Sequence, residues 1–433
     1  MSKFFLSTFG CRCNQADSAG IRARLCGSSL HEAGNSRDAD LIVINSCTVT
    51  RRADQQVRQT VRRLHRENPG AKIVVTGCYA ERDPETLAAI PGVSLVLGNA
   101  DRDRLAEVWR EEHGSGAHIL RTALPAMGEM LTVSATQTGV RTRPYVKIQD
   151  GCDARCAYCI VPSVRGPGRS AVPEDILGEI RRLVVAGYQE IVLTGVHLGT
   201  YGRRLPQPAR LTELLRRILE VPGLGRIRLS SIEPMDFDCS LATIAAGHPA
   251  FAHHFHIPLQ SGSDRILRSM RRPYTAVRFL DLLHHIQANL PTVGLGTDVL
   301  VGFPGETDAD FEATCEIVRQ SPLAYLHVFP FSPREGTEAS TMPGKVSPGV
   351  LRDRCHALRD ISAMKNLAFR QRFAGQVLPA ISLAIEEDMG KSVALTGNYI
   401  HARIAGGAVP PNRLVDIRID EVRPEATWAT LTG

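Results

Sequence analysis

The chain has 433 residues, too many for one ordinary hydrophobic core, so we expect two or three domains. Hydrophobic residues make up 43% of it and the net charge is +6, which is typical of a globular protein and permits nucleic-acid binding without requiring it. No segment approaches the about 18 consecutive apolar residues of a membrane span, and the apolar run at the amino terminus is too short for a secretory signal. We therefore expect a cytoplasmic protein with no membrane partner, in which eleven cysteines indicate metal or redox chemistry more than disulfides.

The first domain, residues 1–115, is predicted to be an open parallel α/β sheet. Short apolar runs alternate with stretches of helix-like composition, as in repeated β/α units. The predicted strands are Lys3–Thr8, Asp40–Asn45, Lys72–Thr76 and Ser94–Leu97. A helix is expected over Ser18–Leu25, with Asn14 and Asp17 as turn and cap residues before it.

A cysteine follows each of the first three predicted strands: Cys11, Cys47 and Cys78. Ligands gather at the carboxyl ends of the strands in an open parallel sheet, so these thiols are expected to meet above one edge. They would form a three-thiol cluster site with one iron left open. The alternative is that they are three buried apolar cysteines, which are common in proteins. Cys13 is either a rival ligand or a bystander.

The segment Arg51–Arg66 is basic and compatible with a helix. Its six arginines stand against one acid, Asp54. Charge runs usually form a solvated helix face. The alternative is a surface that binds phosphates. Residues 116–143 are irregular in composition and are predicted to be a linker.

A second series of β/α units occupies residues 144–373 and predicts a partial (β/α)6 barrel. The predicted strands are Tyr145–Gln149, Glu190–Thr194, Arg226–Ser231, His254–Leu259, Gly294–Val301 and Tyr325–Phe331. A helix from Pro348 to Phe373 follows. Active sites in such barrels form at the carboxyl ends of the strands.

Three cysteines follow the first barrel strand with the spacing Cys-x3-Cys-x2-Cys: Cys152, Cys156 and Cys159. Thiolates bind iron–sulfur clusters, zinc or copper(I). A zinc site usually has four ligands in two pairs, and no fourth Cys or His follows closely here. Three close ligands suit a cubane cluster with one iron open to a further ligand. A structural zinc or a disulfide loop is the alternative.

With Tyr158 before its last cysteine, this stretch resembles the cluster loop of radical S-adenosylmethionine (SAM) enzymes. The resemblance implies that the open iron holds the amino acid end of SAM, which is cleaved reductively to a 5′-deoxyadenosyl radical. The ends of the other barrel strands carry small and polar residues of the kind that contact a cofactor. We place Tyr158, Thr194, Gly195, Ser230, Glu233 and Gln260 near the cofactor.

The last residues, 374–433, alternate in short segments after Gly375 and predict a small all-β barrel. The predicted strands are Leu378–Ala384, Ser392–Leu395, Tyr399–Arg403, Leu414–Ile419 and Thr427–Leu431. Such barrels bind RNA in some proteins and only pack or dimerise in others.

From end to end the chain resembles the radical SAM methylthiotransferases, with a terminal TRAM-type barrel. Several stretches resemble the branch that acts on threonylcarbamoyladenosine in tRNA: Thr8–Cys11, Lys147–Cys152, Leu193–Gly199, Arg228–Pro234, His254–Gln260 and His327–Arg334. The departure is Cys13, where relatives usually carry an apolar residue or methionine.

The resemblance implies two 4Fe–4S clusters and SAM as cofactors. The radical cluster would be held by Cys152, Cys156 and Cys159, and an auxiliary cluster carrying the sulfur by Cys11, Cys47 and Cys78. One SAM would methylate that sulfur, and a second would give the radical that abstracts hydrogen from C2 of the adenine. The expected partners are the tRNA anticodon stem-loop, an electron donor such as flavodoxin or ferredoxin, and a sulfur source.

Three other functions are compatible with the sequence. Two are methylthiotransferases that act on isopentenyladenosine in tRNA or on a ribosomal protein side chain. The third is a non-catalytic iron–sulfur protein that binds RNA. Four side chains could supply polar contacts to the threonylcarbamoyl group at the barrel mouth: His256, Arg271, His327 and Arg334.

Overall fold

The structure is a computed structural model, and it describes residues 2–109, 116–124, 142–383, 392–406 and 408–432. Most of the predicted linker, residues 125–141, and the end of the strand predicted over Leu378–Ala384 lie outside these ranges. The predicted architecture is confirmed: an amino-terminal parallel sheet, a central partial barrel and a closed carboxy-terminal barrel.

The amino-terminal domain is built on a six-stranded sheet in which every pairing is parallel. The strand order is β2-β1-β3-β4-β5-β6, with β1 Lys3–Thr8, β2 His31–Glu32, β3 Leu41–Ser46, β4 Lys72–Gly77, β5 Val93–Leu97 and β6 His118–Leu120. The helices are α1 Arg12–Gly27, α2 Arg51–Glu67, α3 Cys78–Arg82, α4 Pro84–Ala88 and α5 Leu105–Val108. β3 is buried along its whole length, as expected for a central strand covered on both faces.

Two features of this domain differ from the sequence prediction. Residues 118–120, assigned to the linker, form the sixth strand, in which His118 pairs with Leu95. Helix α1 begins at Arg12, so Asn14 and Asp17 are buried helical residues and not turn or cap residues. They are tolerated there because Asn14 donates to the carbonyls of Phe9 and Ser46, and Asp17 is ion-paired.

The central domain has six parallel strands that form a curved wall. Two hydrogen-bonded sheets, β10-β9-β7-β8 and β11-β12-β13, are joined by a parallel bridge between Ser231 and His256. The strands are β7 Tyr145–Asp150, the short antiparallel β8 Arg169–Ser170, β9 Glu190–Gly195, β10 Arg226–Leu229, β11 His254–His256, β12 Gly294–Val301 and β13 Tyr325–Pro330.

Helices cover the outer face of this wall over one continuous core that includes Ile148, Leu193, Leu229 and Leu295. The helices of this domain are α6 Val161–Arg165, α7 Pro173–Val185, α8 Leu211–Leu219, α9 Ser240–Gly247, α10 Asp264–Ser269, α11 Ala276–Asn289, α12 Asp308–Gln320 and α13 Pro348–Gln371. Pro173 lies in the first turn of α7 and two acids follow it, as the helix dipole favours.

The carboxy-terminal domain is a closed five-stranded barrel with the order β14-β15-β16-β18-β17. Its strands are β14 Val377–Ser382, β15 Val393–Thr396, β16 His401–Ala405, β17 Leu414–Val422 and β18 Thr427–Leu431. In the described ranges, no helix is long and apolar enough to cross a membrane.

Buried arginines join this barrel to the central domain. Arg228 donates to the carbonyls of Thr396 at 3.1 Å and Gly397 at 3.0 Å, and Arg226 donates to Pro379 at 3.0 Å. Both arginines pair with Glu190. Burial alone would raise the pKa of Glu190, but these cations outweigh it and lower the pKa to about 2.

Candidate active site between two cysteine triads

The loop that follows β7 carries Cys152, Cys156 and Cys159, and backbone hydrogen bonds hold it in place. The amide of Cys152 donates to Gly166 at 3.0 Å, and the amide of Cys159 donates to Cys156 at 3.0 Å. Gly151 has φ +72°, and a Cβ there would lie 2.0 Å from the carbonyl oxygen of Pro167. Only glycine therefore lets the chain turn directly from the strand into this loop.

A cation and an imidazole contact two of the three sulfurs in the loop. Arg272 donates to Cys156 Sγ at 3.2 Å and is ion-paired with Glu233. His197 Nδ1 lies 3.4 Å from Cys152 Sγ, and its Nε2 lies 2.7 Å from Asp236. Burial alone would lower the pKa of His197, but its contacts with Asp236 and Cys152 outweigh that effect and raise the pKa to about 9. One cation thus lies against each of two loop sulfurs, and each of these cations is paired with a carboxylate.

The second triad lies at the carboxyl edge of the amino-terminal sheet. Cys11 is the residue before α1, Cys47 follows β3, and Cys78 is the first residue of α3. Gly10 has φ +92°, and a Cβ there would lie 2.7 Å from Cys47 Sγ, so glycine allows the close approach of these two strand ends. The predicted convergence follows from the parallel order of β1, β3 and β4.

Cys13 lies beside this triad as a hydrogen-bonding neighbour. It is buried, and its Sγ is 3.9 Å from Thr194 Oγ1 on β9. A hydrogen bond between the two thiols lowers the pKa of Cys11 to about 6, against the opposing effect of burial, and raises the pKa of Cys13. The direction of these pKa shifts favours Cys11 over Cys13 as the thiolate.

The spacing of the sulfurs argues against a single bound ion at either triad. A tetrahedral zinc ion with Zn–S bonds of about 2.3 Å brings its ligand sulfurs to about 3.8 Å from one another. Among the described residues, the only trio of possible ligand atoms within 4.8 Å of one another is His256, Asp298 and His327. In each triad, therefore, at least one pair of sulfurs is more than 4.8 Å apart, which is too wide for a single tetrahedral ion.

A buried network of charges joins the two cysteine-bearing domains. Asp17 of α1 is ion-paired with Arg102 and Arg165, both at 2.9 Å, and with Lys147. Asp150 is paired with Lys147 at 2.7 Å and Arg165 at 2.7 Å. Three cations face two carboxylates, so the network keeps one excess positive charge.

That excess charge lies beside the auxiliary triad. Arg165 is the last residue of α6, the helix that follows the cluster loop. Burial raises the pKa of Cys47 and Cys78, and the charge of Arg165 partly opposes that rise. The same charge contributes to the lowered pKa of Cys11. Cys78 also packs with Ile160, the residue after Cys159, and with Val164 of helix α6. The two triads are therefore neighbours across one interface.

The other residues predicted near the cofactor occupy several positions around the loop. Glu233 reaches the loop through Arg272, and Thr194 contacts Cys13. The buried hydroxyl of Ser230 has no hydrogen-bond partner within the described part of the chain. Tyr158 packs against an apolar cluster that includes Phe303 and Met270. Gly195 lies against Gln149, and Gln260 has φ +67° and bridges to Val299.

Sequence reasoning missed Arg272, His197 and Arg165. His197 lies at the end of β9, so its strand-end position was an available signal. No spacing pattern distinguishes Arg272 from Arg271, whose side chain is exposed and paired with Glu338. Arg334 is not a group at the barrel mouth: it is buried and binds Thr48 and Asp54 of the amino-terminal domain.

Comparison with known proteins identifies the family. Residues 3–98 match the uncharacterized protein family UPF0004, and residues 146–318 match the radical SAM superfamily. The threonylcarbamoyladenosine tRNA methylthiotransferase MtaB of Bacillus subtilis is 35% identical over 97% of this chain and 94% of its own length. The tRNA-2-methylthio-N(6)-dimethylallyladenosine synthase of a Parafrankia species is also 35% identical, over 96% of this chain and 87% of its own.

The fold resembles a solved structure as well. The radical SAM methyltransferase TsrM of Kitasatospora setae has a TM-score of 0.58 with 16% identity, over 78% of this chain and 77% of its own. Membership of the radical SAM superfamily implies SAM and one 4Fe–4S cluster, and Cys152, Cys156 and Cys159 offer fitting ligands. Family models match the amino-terminal and central domains, and this chain aligns with most of the length of both relatives. The chain therefore belongs to the radical SAM methylthiotransferase family.

Proposed function

We propose that this enzyme adds a methylthio group to C2 of N6-threonylcarbamoyladenosine next to the anticodon of tRNA, using two 4Fe–4S clusters. The observation that carries the proposal is the contact between the auxiliary triad and the segment that follows the radical loop. Cys78 packs with Ile160 and with Val164 of helix α6, and Arg165 at the end of that helix lies among the thiols of the auxiliary triad. An enzyme that moves sulfur to a radical-activated carbon needs both centres at one place.

The radical cluster is assigned to Cys152, Cys156 and Cys159, and the auxiliary cluster to Cys11, Cys47 and Cys78. The first would supply the electron that cleaves SAM, and the second would hold the sulfur that is transferred. Neither thiol set is spaced for a single ion, which supports this assignment.

The side chains around the clusters orient them and balance their charge. Arg272 donates to Cys156, and Glu233 fixes the position of that guanidinium. Asp236 holds His197 against Cys152. Arg165 and Lys147 lock the amino-terminal domain onto the barrel and keep positive charge next to thiolates that carry negative charge.

The choice of substrate rests on the relatives and on the polarity of the barrel interior. The two relatives are equally identical overall and differ in the base that they modify, so identity alone does not decide. Threonylcarbamoyladenosine carries a carboxylate and a hydroxyl, whereas an isopentenyl group is apolar. The interior around β11–β13 is lined with polar groups such as His256, Asp298 and His327, which suits the polar substituent.

We expect the tRNA to contact helix α2. Arg51, Arg52, Arg62, Arg63 and Arg66 are exposed there, whereas Arg58 donates to the hydroxyl of Tyr79. A row of guanidinium groups on one helix suits a phosphate backbone. An electron donor such as flavodoxin or ferredoxin and a sulfur source for the auxiliary triad complete the proposal.

The experiment is mass spectrometry of nucleosides in tRNA from cells that lack the gene. The methylthio form of threonylcarbamoyladenosine should vanish, and its parent nucleoside should accumulate. If only the isopentenyl nucleoside loses its methylthio group, or only a ribosomal protein changes mass, the substrate is wrong. A protein that binds RNA without catalysis would leave every modified nucleoside unchanged.

A further inference from the structure

Three side chains in the barrel interior form a group that neither cysteine triad uses. His256 ends β11, Asp298 lies on β12, and His327 lies opposite Asp298 on β13. His256 Nε2 is 3.2 Å from Asp298 Oδ1, and His327 Nδ1 is 3.3 Å from the same oxygen. We propose that His256, Asp298 and His327 form a binding site for a divalent transition metal of the zinc type.

The spacing of the ligand atoms fits a bound zinc ion. Zinc binds histidine nitrogen and carboxylate oxygen at about 2.0–2.2 Å, which places neighbouring ligand atoms about 3–3.5 Å apart for angles between 90° and 110°. The two distances to Asp298 Oδ1 fall in this range, and all three ligand atoms lie within 4.8 Å of one another. Two imidazoles and one carboxylate suit zinc or iron(II) better than magnesium or calcium.

Two buried polar atoms of this group lack a hydrogen bond within the described part of the chain. His256 is 5% exposed, and its Nε2 is buried with no hydrogen-bond partner among the described residues. Asp298 Oδ1 is also buried and has no hydrogen bond within that part of the chain, since its contacts with the imidazoles have the distance but not the geometry of one. A buried polar atom without a partner is costly, and an ion between these atoms would satisfy both.

The hydroxyl of Ser231 fixes the imidazole of His256 from behind. Its Nδ1 lies 2.8 Å from Ser231 Oγ, at the bridge between β10 and β11. When Nδ1–H donates to this hydroxyl, Nε2 carries the lone pair that a metal needs. Metal-binding histidines are usually fixed by such a hydrogen bond through the second ring nitrogen.

The site has an open side. The side chain of His327 is 53% exposed, whereas that of His256 is 6% exposed, so the metal would sit between the buried wall and the barrel opening. Three protein ligands leave at least one position for an oxygen ligand. Resting on the proposed function, the carboxylate and hydroxyl of the threonylcarbamoyl group are the class of ligand that this position accepts.

The test measures zinc in the cluster-loaded full-length protein without RNA. After incubation with zinc and buffer exchange, elemental analysis should find one zinc per chain. Zinc-edge X-ray absorption should show nitrogen and oxygen neighbours at about 2.0–2.1 Å and no sulfur at about 2.3 Å. No retained zinc, or a shell made of sulfur, overturns the proposal. Because RNA is absent, this result is independent of the nucleoside assay.

Variants locate the site. Ser231→Ala should weaken zinc binding by about 10–100-fold, and Asp298→Asn and His327→Gln should abolish stoichiometric binding. His327 is exposed, so its variant tests the site even if Asp298→Asn misfolds. The matched control is His356→Gln, which removes an exposed imidazole 3.2 Å from Asp360 and outside any three-ligand group of the described residues. Zinc retained in both His327→Gln and Asp298→Asn overturns the proposal.

Discussion

At the scale of single residues, Arg272 is the cation that contacts a sulfur of the proposed radical-cluster loop. Its guanidinium lies 3.2 Å from Cys156 Sγ, is nearly inaccessible to solvent, and is held by Glu233 and by the hydroxyl of Tyr274. A fixed cation at this distance stabilises the additional negative charge that a cluster gains on reduction.

Replacing Arg272 should therefore make the radical cluster harder to reduce. In Arg272→Gln we expect a more negative midpoint potential and slower SAM cleavage, with the iron content retained. Redox titration followed by electron paramagnetic resonance measures this shift. Arg271→Gln is the control, because that neighbouring side chain points to Glu338. Equal potentials in the two variants would count against this role.

Cys13 is predicted to support Cys11 without binding iron. Cys13→Ala should keep both clusters, about eight irons per chain, while the pKa of Cys11, now lowered to about 6, rises toward its ordinary value in cluster-free protein. Thiol alkylation against pH reports that pKa, and iron analysis reports the clusters. A variant that loses about four irons would make Cys13 a ligand.

At the scale of elements, β/α alternation predicted nearly all the strands and the position of both cysteine triads after strand ends. Contacts between residues that are far apart in the sequence could not be predicted. The strand His118–Leu120 is only three residues long and exists because β5 offers a free edge. Asp17 lies within a helix because its charge is met by Lys147, 130 residues away. Local pattern contains no information on such contacts.

Helix α2 is predicted to contribute phosphate contacts. The double variant Arg62→Gln, Arg66→Gln should weaken tRNA binding and reduce the salt dependence by about 0.7–0.9 in slope for each lost contact. The control removes two arginines of the outer helices, Arg217 and Arg319, which are paired with glutamates. The binding constants would be measured at several salt concentrations. An identical slope in both double variants would leave α2 a solvated surface.

The terminal barrel is expected to depend on Arg228 for its docking. Arg228→Ala removes donors to the carbonyls of Thr396 and Gly397 and leaves Glu190 with fewer cations. Hydrogen exchange should accelerate in β15 and β16 and stay unchanged in α7. Arg319→Ala, which breaks an exposed pair with Glu312 on α12, is the control and should change neither region. Unchanged exchange in β15 and β16 would show that other contacts hold this barrel.

At the scale of the whole molecule, the network of Asp17, Asp150, Lys147, Arg165 and Arg102 makes two domains into one active site. Removing one member of such a buried network leaves the others unpaired. Asp17→Asn should lower the free energy of unfolding by about 3–5 kcal/mol, seen as a lower urea midpoint. Asp103→Asn breaks an exposed pair with Arg24 and should change the midpoint little.

The difference in unfolding free energy between the wild type and Asp17→Asn should depend on pH. Burial opposes ionisation of Asp17, but Arg102, Lys147 and Arg165 outweigh it and lower its pKa to about 2. The unfolded pKa is about 3.9, so the stability that Asp17 contributes is fully present above about pH 4 and is lost as the pH falls toward 2. The difference between the wild type and Asp17→Asn should shrink over that interval. A difference that stays constant would contradict the assignment.

Iron and sulfide analysis of the full-length chain measures directly whether two clusters occupy the two cysteine triads. The reconstituted wild type should contain about eight irons, and chains with either triad changed to alanine should each contain about four. Of the two triad variants, only the one that lacks Cys11, Cys47 and Cys78 should still cleave SAM. A wild type with about four irons, or a variant of Cys152, Cys156 and Cys159 with none, would contradict the account.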